Sequence, residues 1–262
     1  MSATVSAPTL LDAVTELAKH AGDVALRHFR TSLSVETKSD GSPVTIADRA
    51  AELAAREWLE RRFPRDGIVG EEMGSVRPDA PRRWFVDPID GTKSFVRGVP
   101  LWGTLVGVAE GHDVIAGAIY CAAAGELASA ARGEGCWWNG TRCTVSDVSS
   151  LDAATVLTTD ERFPRDDVHR QARRDAWRAL AERSGLSRTW GDCYGYVLVA
   201  TGRAEVMVDP VMAPWDSAAL GPIVTEAGGV FTDWSGRATA LGGSAVATNR
   251  SLARVVRELL CP

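Results

Sequence analysis

Apolar residues Leu10, Val14, Leu17, Ala21, Val24 and Ala25 recur at helical spacing behind a Thr9/Asp12 pair of capping-box character. They predict an amphipathic helix over residues 10–29. The polar stretch 34–43 carries turn signals and reads as a loop or hairpin. A second helix is expected over 47–62, burying Ala51, Ala54, Ala55, Trp58 and Leu59 and stopping before Pro64. The period then changes. Short apolar runs at 68–72 and 84–87 end in acids, and strands follow at 104–109, 114–120 and 126–131. A hairpin at 136–145 turns on Asn139-Gly140. The pattern breaks near 148–153. Beyond it strands (154–158, 204–208, 230–233) alternate with helices (166–183, 194–200, 215–227, 251–260), the third ended by Gly228-Gly229. The reading is an α/β (α+β) fold in two parts, residues 1–150 and 151–262, without internal repeats.

The chain has 262 residues, 45% of them hydrophobic, and a net charge of −5. That suits one large domain or two small ones sharing a core. Acids and bases are interspersed, so no basic block offers itself to nucleic acid and no polybasic amphipathic segment to a membrane. No run approaches the roughly 18 apolar residues of a membrane span. The N-terminus has no leader character, and a cytoplasmic protein is expected. The five cysteines include no Cys-x-x-Cys. Cys136 and Cys143 face each other across the predicted hairpin and are expected as free thiols.

Candidate chemistry lies where strands end in acids. In Trp-Phe-Val-Asp87-Pro-Ile-Asp90-Gly-Thr92 a strand delivers Asp87, Pro88 is expected to turn the chain out of the sheet, and Asp90 can swing back. Two carboxylates held together disfavour each other's ionisation and call for a cation. None of the four histidines adjoins these acids, so the donors are all oxygen and suit Mg²⁺ or Mn²⁺ rather than zinc. Gly91 permits close backbone approach, and Thr92 can cap a helical turn whose N–H groups attract phosphate. Gly70-Glu71-Glu72 and Trp215-Asp216 supply further acids at element ends. Together these features equip a metal-assisted phosphate ester hydrolase.

The motifs Val44-Thr-Ile-Ala-Asp48, Gly70-Glu71-Glu72, residues 84–95 and residues 214–229, taken in order, resemble the inositol monophosphatase family of metal-dependent phosphatases. The resemblance runs from about residue 10 to 260. It implies a layered αβαβα sandwich, usually a homodimer. It also implies that Glu71, Asp87 and the Ile89 carbonyl hold one Mg²⁺, that Asp87, Asp90 and Asp216 hold a second, and that Glu71 helps a third, weaker ion. Thr92, with Asp48 behind it, would activate water. The N–H groups of Gly91 and Thr92 would bind phosphate, and the 34–43 loop would form a lid.

The stretch Arg188-Thr-Trp-Gly191-Asp192-Cys-Tyr-Gly-Tyr196 is similar to the variant in the bacterial histidinol-phosphate phosphatase branch. The expected substrate is therefore a small phosphate monoester, histidinol phosphate, with inositol 1-phosphate as the alternative. A regulatory binding role is a further alternative. The substrate's ammonium would be met by Asp192, by Asp209 or by both. The structural alternatives are an N-cap at Asp192 and an Asp-Pro turn at Asp209.

Overall fold

The computed structural model describes residues 9–38, 41–164 and 167–260. In chain order its elements are α1 (Leu10–Leu26), β1 (Val35–Thr37), β2 (Pro43–Thr45), α2 (Ile46–Arg62), β3 (Gly67–Gly70), β4 (Gly74–Val76), β5 (Arg82–Asp90) and α3 (Thr92–Phe95). Next come β6 (Gly103–Glu110), β7 (Asp113–Cys121), β8 (Glu126–Ala131), β9 (Gly135–Trp138) and β10 (Thr141–Arg142). The remainder comprises β11 (Thr155–Thr158), α4 (Arg170–Arg183), β12 (Leu186–Arg188), α5 (Cys193–Ala200), β13 (Val206–Asp209), α6 (Pro214–Ser217), α7 (Leu220–Glu226), β14 (Val230–Thr232), β15 (Ala245–Thr248) and α8 (Ala253–Leu260).

Strands β3 to β10 form one eight-stranded sheet, ordered β10-β9-β8-β7-β6-β5-β3-β4, antiparallel except for the β3/β5 pair. A second, five-stranded sheet runs β12-β11-β13-β15-β14, parallel across β12, β11 and β13 and antiparallel beyond. Helices α1 and α2 cover the outer face of the first sheet, α5, α6 and α7 lie between the sheets, and α4 and α8 cover the second. This is the αβαβα sandwich. Each interface has its own apolar cluster: Leu17, Trp58 and Trp84 outside the first sheet, Leu105, Tyr196 and Ile223 between the sheets, and Trp177, Val206 and Val256 outside the second.

The middle layer seats on a notch. Gly107 and Gly117 are cross-strand partners on β6 and β7. A Cβ on Gly107 would stand 2.6 Å from the Ala218 Cβ, and one on Gly117 would overlap the Ala219 carbonyl. Only bare backbone there admits the Ala218-Ala219 junction, and that junction places the preceding helix, with Asp216, against β5.

Several boundaries differ from the sequence reading. The first helix ends at Leu26 and closes in short turns through Phe29. The helix expected over 166–183 begins at Arg170, and residue 166 lies outside the described residues. The helix expected over 215–227 is two helices, because Pro222 has no N–H to give the Ala218 carbonyl. Three strands were not anticipated: β4, β12 and β15 are short, and neighbouring strands rather than their own pattern recruit them. Pro88 does not turn the chain out of the sheet. Strand β5 continues to Asp90 through a bulge in which Asp87 pairs Leu105 and Asp90 pairs Gly103. The missing proline donor falls in the unpaired interval, and the Pro88 carbonyl accepts from Thr104 Oγ1 at 2.8 Å.

The Asn139-Gly140 turn has positive φ at both positions, 48° and 78°, the type I′ geometry. It sets Cys143 N–H on the Cys136 carbonyl at 3.0 Å, and both thiols are free. Among the described residues no helix is long and apolar enough to cross a membrane.

The notch yields a prediction. Gly117→Ala should overpack the β7/α7 contact and cost about 1–3 kcal/mol, read as a fall in Tm by calorimetry. An unchanged Tm would show that the Ala218-Ala219 seat does not depend on it.

Candidate active site

Acids from three elements converge where β5 ends. Asp87 is buried, within hydrogen-bonding reach of Glu71 just past β3 and of Asp216 in α6. Asp90, across the bulge, lies close enough to Asp192 and Asp216 to feel their charges. Each of the three aspartates has one oxygen fixed by a backbone N–H: Asp87 Oδ1 by Ile89 at 2.9 Å, Asp90 Oδ2 by Cys193 at 2.5 Å and Asp216 Oδ2 by Ala213 at 2.9 Å. The second oxygen of each is left for the cluster.

The crowding is expensive. Burial pushes Asp87 well above the usual carboxylate range, and the charges of Glu71, Asp90 and Asp216 add to it. Burial does the same to Asp90, reinforced by Asp192 and Asp216. Asp216 is pushed up to about 7 by burial, with Glu71 adding and the Ala213 N–H opposing. Lys38, which the sequence reading missed, enters from the segment after β1. Its Nζ lies 2.7 Å from Glu71 Oε1 and 2.6 Å from Glu72 Oε1. Burial works to deprotonate it, but these two carboxylates hold the ammonium above its ordinary pKa. Among the described residues no three acidic, histidine or cysteine side chains form a closed ion cage; Glu71 is shared between Asp87 and Lys38. The donor chemistry fits a hard divalent cation: buried like charges short of compensation, and oxygen ligands only.

The turn after β5 completes this side. Gly91, at φ 88°, takes the cap position of α3, so Thr92 is the first helical residue rather than the cap expected from sequence. Thr92 Oγ1 lies 3.0 Å from the Ile89 carbonyl and 3.4 Å from Asp48 Oδ1. Asp48 is fully buried; its Oδ2 accepts from Thr45 N at 2.8 Å and Thr45 Oγ1 at 2.7 Å, the capping box of α2. Burial raises its pKa, so its proton affinity sits nearer neutrality than that of a solvated carboxylate.

A cavity of about 330 Å³ opens over this turn, lined by Thr92, Lys93, Thr159, Asp160, Arg162 and Asp192 among others. Asp192 has φ 47° and ψ −154°, a backbone state usually left to glycine. It occupies the N-cap position of α5 but makes no side-chain cap bond. Its carboxylate is pushed up to about 6 by burial, with Lys93 pulling the other way. Asp209 is not in the lining. It is buried behind Thr159, with Oδ1 accepting from Thr159 N at 3.2 Å and Oδ2 from Tyr196 Oη at 2.9 Å. Thr159 was also missed by the sequence reading. Its signal was available, since it directly follows a strand and precedes an acid.

The sequence model of the inositol monophosphatase family matches residues 7–261. The chain belongs to that family. It is 44% identical over 245 residues to a histidinol-phosphatase of Chlorobaculum parvum, covering 91% of this chain and 92% of that one. It is 38% identical over 250 residues to a histidinol-phosphatase of Streptomyces coelicolor, covering 90% and 91%. Among solved structures, an inositol monophosphatase from Zymomonas mobilis superposes with a TM-score of 0.84 at 31% identity, covering 99% of each chain.

The electrostatics predict a pH dependence. A carboxyl whose folded pKa lies above its unfolded value favours the native state at low pH, and that advantage is lost as pH rises from the ordinary 3.8 toward the folded value of about 7 for Asp216. Above that pH Asp216 adds its charge to the repulsion of the metal-free cluster, and a divalent cation has more to relieve. The Tm rise on adding MgCl₂ to chelator-treated protein should therefore be larger at pH 8 than at pH 6. Equal rises at the two pH values would count against cation binding by these acids.

Proposed function

We propose that the protein is a Mg²⁺-dependent phosphate monoester hydrolase that converts histidinol phosphate and water to histidinol and phosphate. The carrying observation is the Asp192 carboxylate. It lies in the cavity beside the phosphate-binding turn, accepts no hydrogen bond from a described residue, and stands where a cationic leaving group can reach it. Histidinol phosphate carries an ammonium and an imidazole, whereas inositol 1-phosphate carries only hydroxyls. The resemblance to two histidinol-phosphatases over most of the chain supports the same choice. This reading belongs to cytoplasmic histidine biosynthesis, and the assembly it implies is a homodimer.

Glu71, Asp87 and the Ile89 carbonyl would hold one Mg²⁺, and Asp87, Asp90 and Asp216 a second; Glu71 would help with a third, and Mn²⁺ would substitute. When bound, such ions supply Lewis acidity to the attacking water and the departing alkoxide. The chain's own groups do the rest. The first N–H groups of the Gly91-Thr92 turn orient the phosphoryl oxygens. Thr92 Oγ1, between Asp48 and the Ile89 carbonyl, passes a proton from water to Asp48 Oδ1, whose burial-raised pKa suits a base. Asp192 pairs with the substrate ammonium, a charge-assisted contact that a neutral polyol does not make. No serine–histidine pair or activated cysteine is needed.

Phosphate release from purified protein with Mg²⁺, offered histidinol phosphate and inositol 1-phosphate in parallel, tests the substrate. A higher kcat/KM on inositol 1-phosphate rejects the histidinol reading in favour of the alternative. Asp90→Asn keeps the Cys193 hydrogen bond but removes a ligand charge. It should lower kcat by about a hundredfold or more while leaving the metal-free protein at least as stable, because it relieves repulsion. Full activity in this variant would reject the proposed ligand set.

A further inference from the structure

The acid in the cavity is held in an unfavourable backbone state, and the structure contains a device that accounts for it. Strand β11 ends at Thr158, and Thr159 follows as a template. A Cβ on Gly191 would overlap the Thr159 backbone, so residue 191 must be glycine for the turn to lie flat on it. Asp192 N–H then donates to Thr159 Oγ1 at 3.0 Å. The next amide, Cys193 N–H, donates to Asp90 Oδ2 at 2.5 Å. Two successive N–H groups are thus committed to fixed acceptors on different elements, which leaves residue 192 little choice but positive φ. Thr159 is itself immobilised from behind, because its N–H is held by Asp209 Oδ1, while Asp209 Oδ2 is held by Tyr196 Oη.

We infer that Thr159, braced by Asp209 and Tyr196, is a positioning residue that sets the Asp192 carboxylate toward the leaving group, and that Asp209 acts through this brace rather than by touching substrate. The inference rests on the reading of Asp192 as the ammonium contact. Both oxygens of Asp209 are already occupied by protein donors, and it is 6% exposed. Asp192 has neither restriction. A backbone state that glycine would occupy more easily, yet filled by aspartate, marks a position held for its side chain.

The brace predicts a pattern that direct contact does not. Asp209→Asn keeps both hydrogen bonds, since the amide oxygen accepts from Thr159 N–H and the amide nitrogen donates to Tyr196 Oη, but it deletes the charge. Under the brace, KM for histidinol phosphate should stay within about threefold of the parent; an ammonium pairing with Asp209 itself would raise it by roughly tenfold or more. Thr159→Ala, which removes the Asp192 acceptor, should raise that KM by about tenfold with a smaller change in kcat, and Thr159→Ser should restore it. The same ratio measured on inositol 1-phosphate should shift less. A rise in KM for Asp209→Asn matching the direct-contact figure, or equal losses on both substrates for Thr159→Ala, overturns the inference.

Asp192→Asn separates the two levels. If it leaves the preference for the cationic substrate intact, the ammonium reading has failed. If it abolishes the preference while Thr159→Ala does not, only the brace has failed. A crystal structure of Thr159→Ala decides the geometry independently of substrate: release of residue 192 from positive φ supports the brace, and an unchanged turn rejects it.

Discussion

Several carboxylates are crowded into one partly buried pocket, and their repulsion is the constraint around which the rest of the protein is arranged. Glu71, Asp87, Asp90 and Asp216 would separate if their backbones allowed it. Peptide N–H groups of Ile89, Cys193 and Ala213 prevent this by pinning one oxygen of each aspartate. Those amides come from the β5 bulge, the start of α5 and the start of α6, so three separate parts of the chain oppose one electrostatic stress. The fold stores this stress, and the oxygen donors it holds together suit a divalent cation that would relieve it. In this structure the only cation hydrogen-bonded to Glu71 among the described residues is the Lys38 ammonium.

Holding the acids together requires the two sheets to be gripped through their shared middle layer. The Gly107/Gly117 notch lets the α6–α7 junction sink onto β6 and β7, which brings Asp216 within reach of Asp87. The cluster of Leu105, Ile119, Tyr196 and Ile223 joins residues of both halves of the chain. Packing density therefore supplies the stability that the buried charges withdraw. Asp90 also serves as a tie. By accepting from Cys193 it links the acid cluster at the end of β5 to the turn that carries Asp192, so the two are mechanically one piece.

Much of this was legible in the residues. The helices that carry full amphipathic repeats were predicted to within a few positions, because one buried face over several turns leaves an unambiguous period. The acids at Asp87, Asp90 and Glu71 stood out because carboxylates at the ends of apolar strands need a reason. The short strands β4, β12 and β15 did not stand out, since three or four residues carry no period and pair only where a neighbour offers an edge. Pro88 misled for a related reason. A proline excludes itself from a ladder, but whether the chain leaves the sheet or bulges and rejoins it depends on the facing strand, here β6 with Thr104 waiting for the Pro88 carbonyl.

Local chemistry, then, was written in the chain itself: which segments are helical, that the donors are oxygens, that a glycine and a threonine follow the paired aspartates, and that the motif order resembles one family. Distance along the chain hides everything that depends on convergence. Asp192 and Asp209 were equivalent candidates in sequence, each an acid beside a turn. Only tertiary structure separated them, because a carboxylate's availability is decided by which donors reach it first. Thr159 and Tyr196 reach Asp209, and no donor among the described residues reaches Asp192.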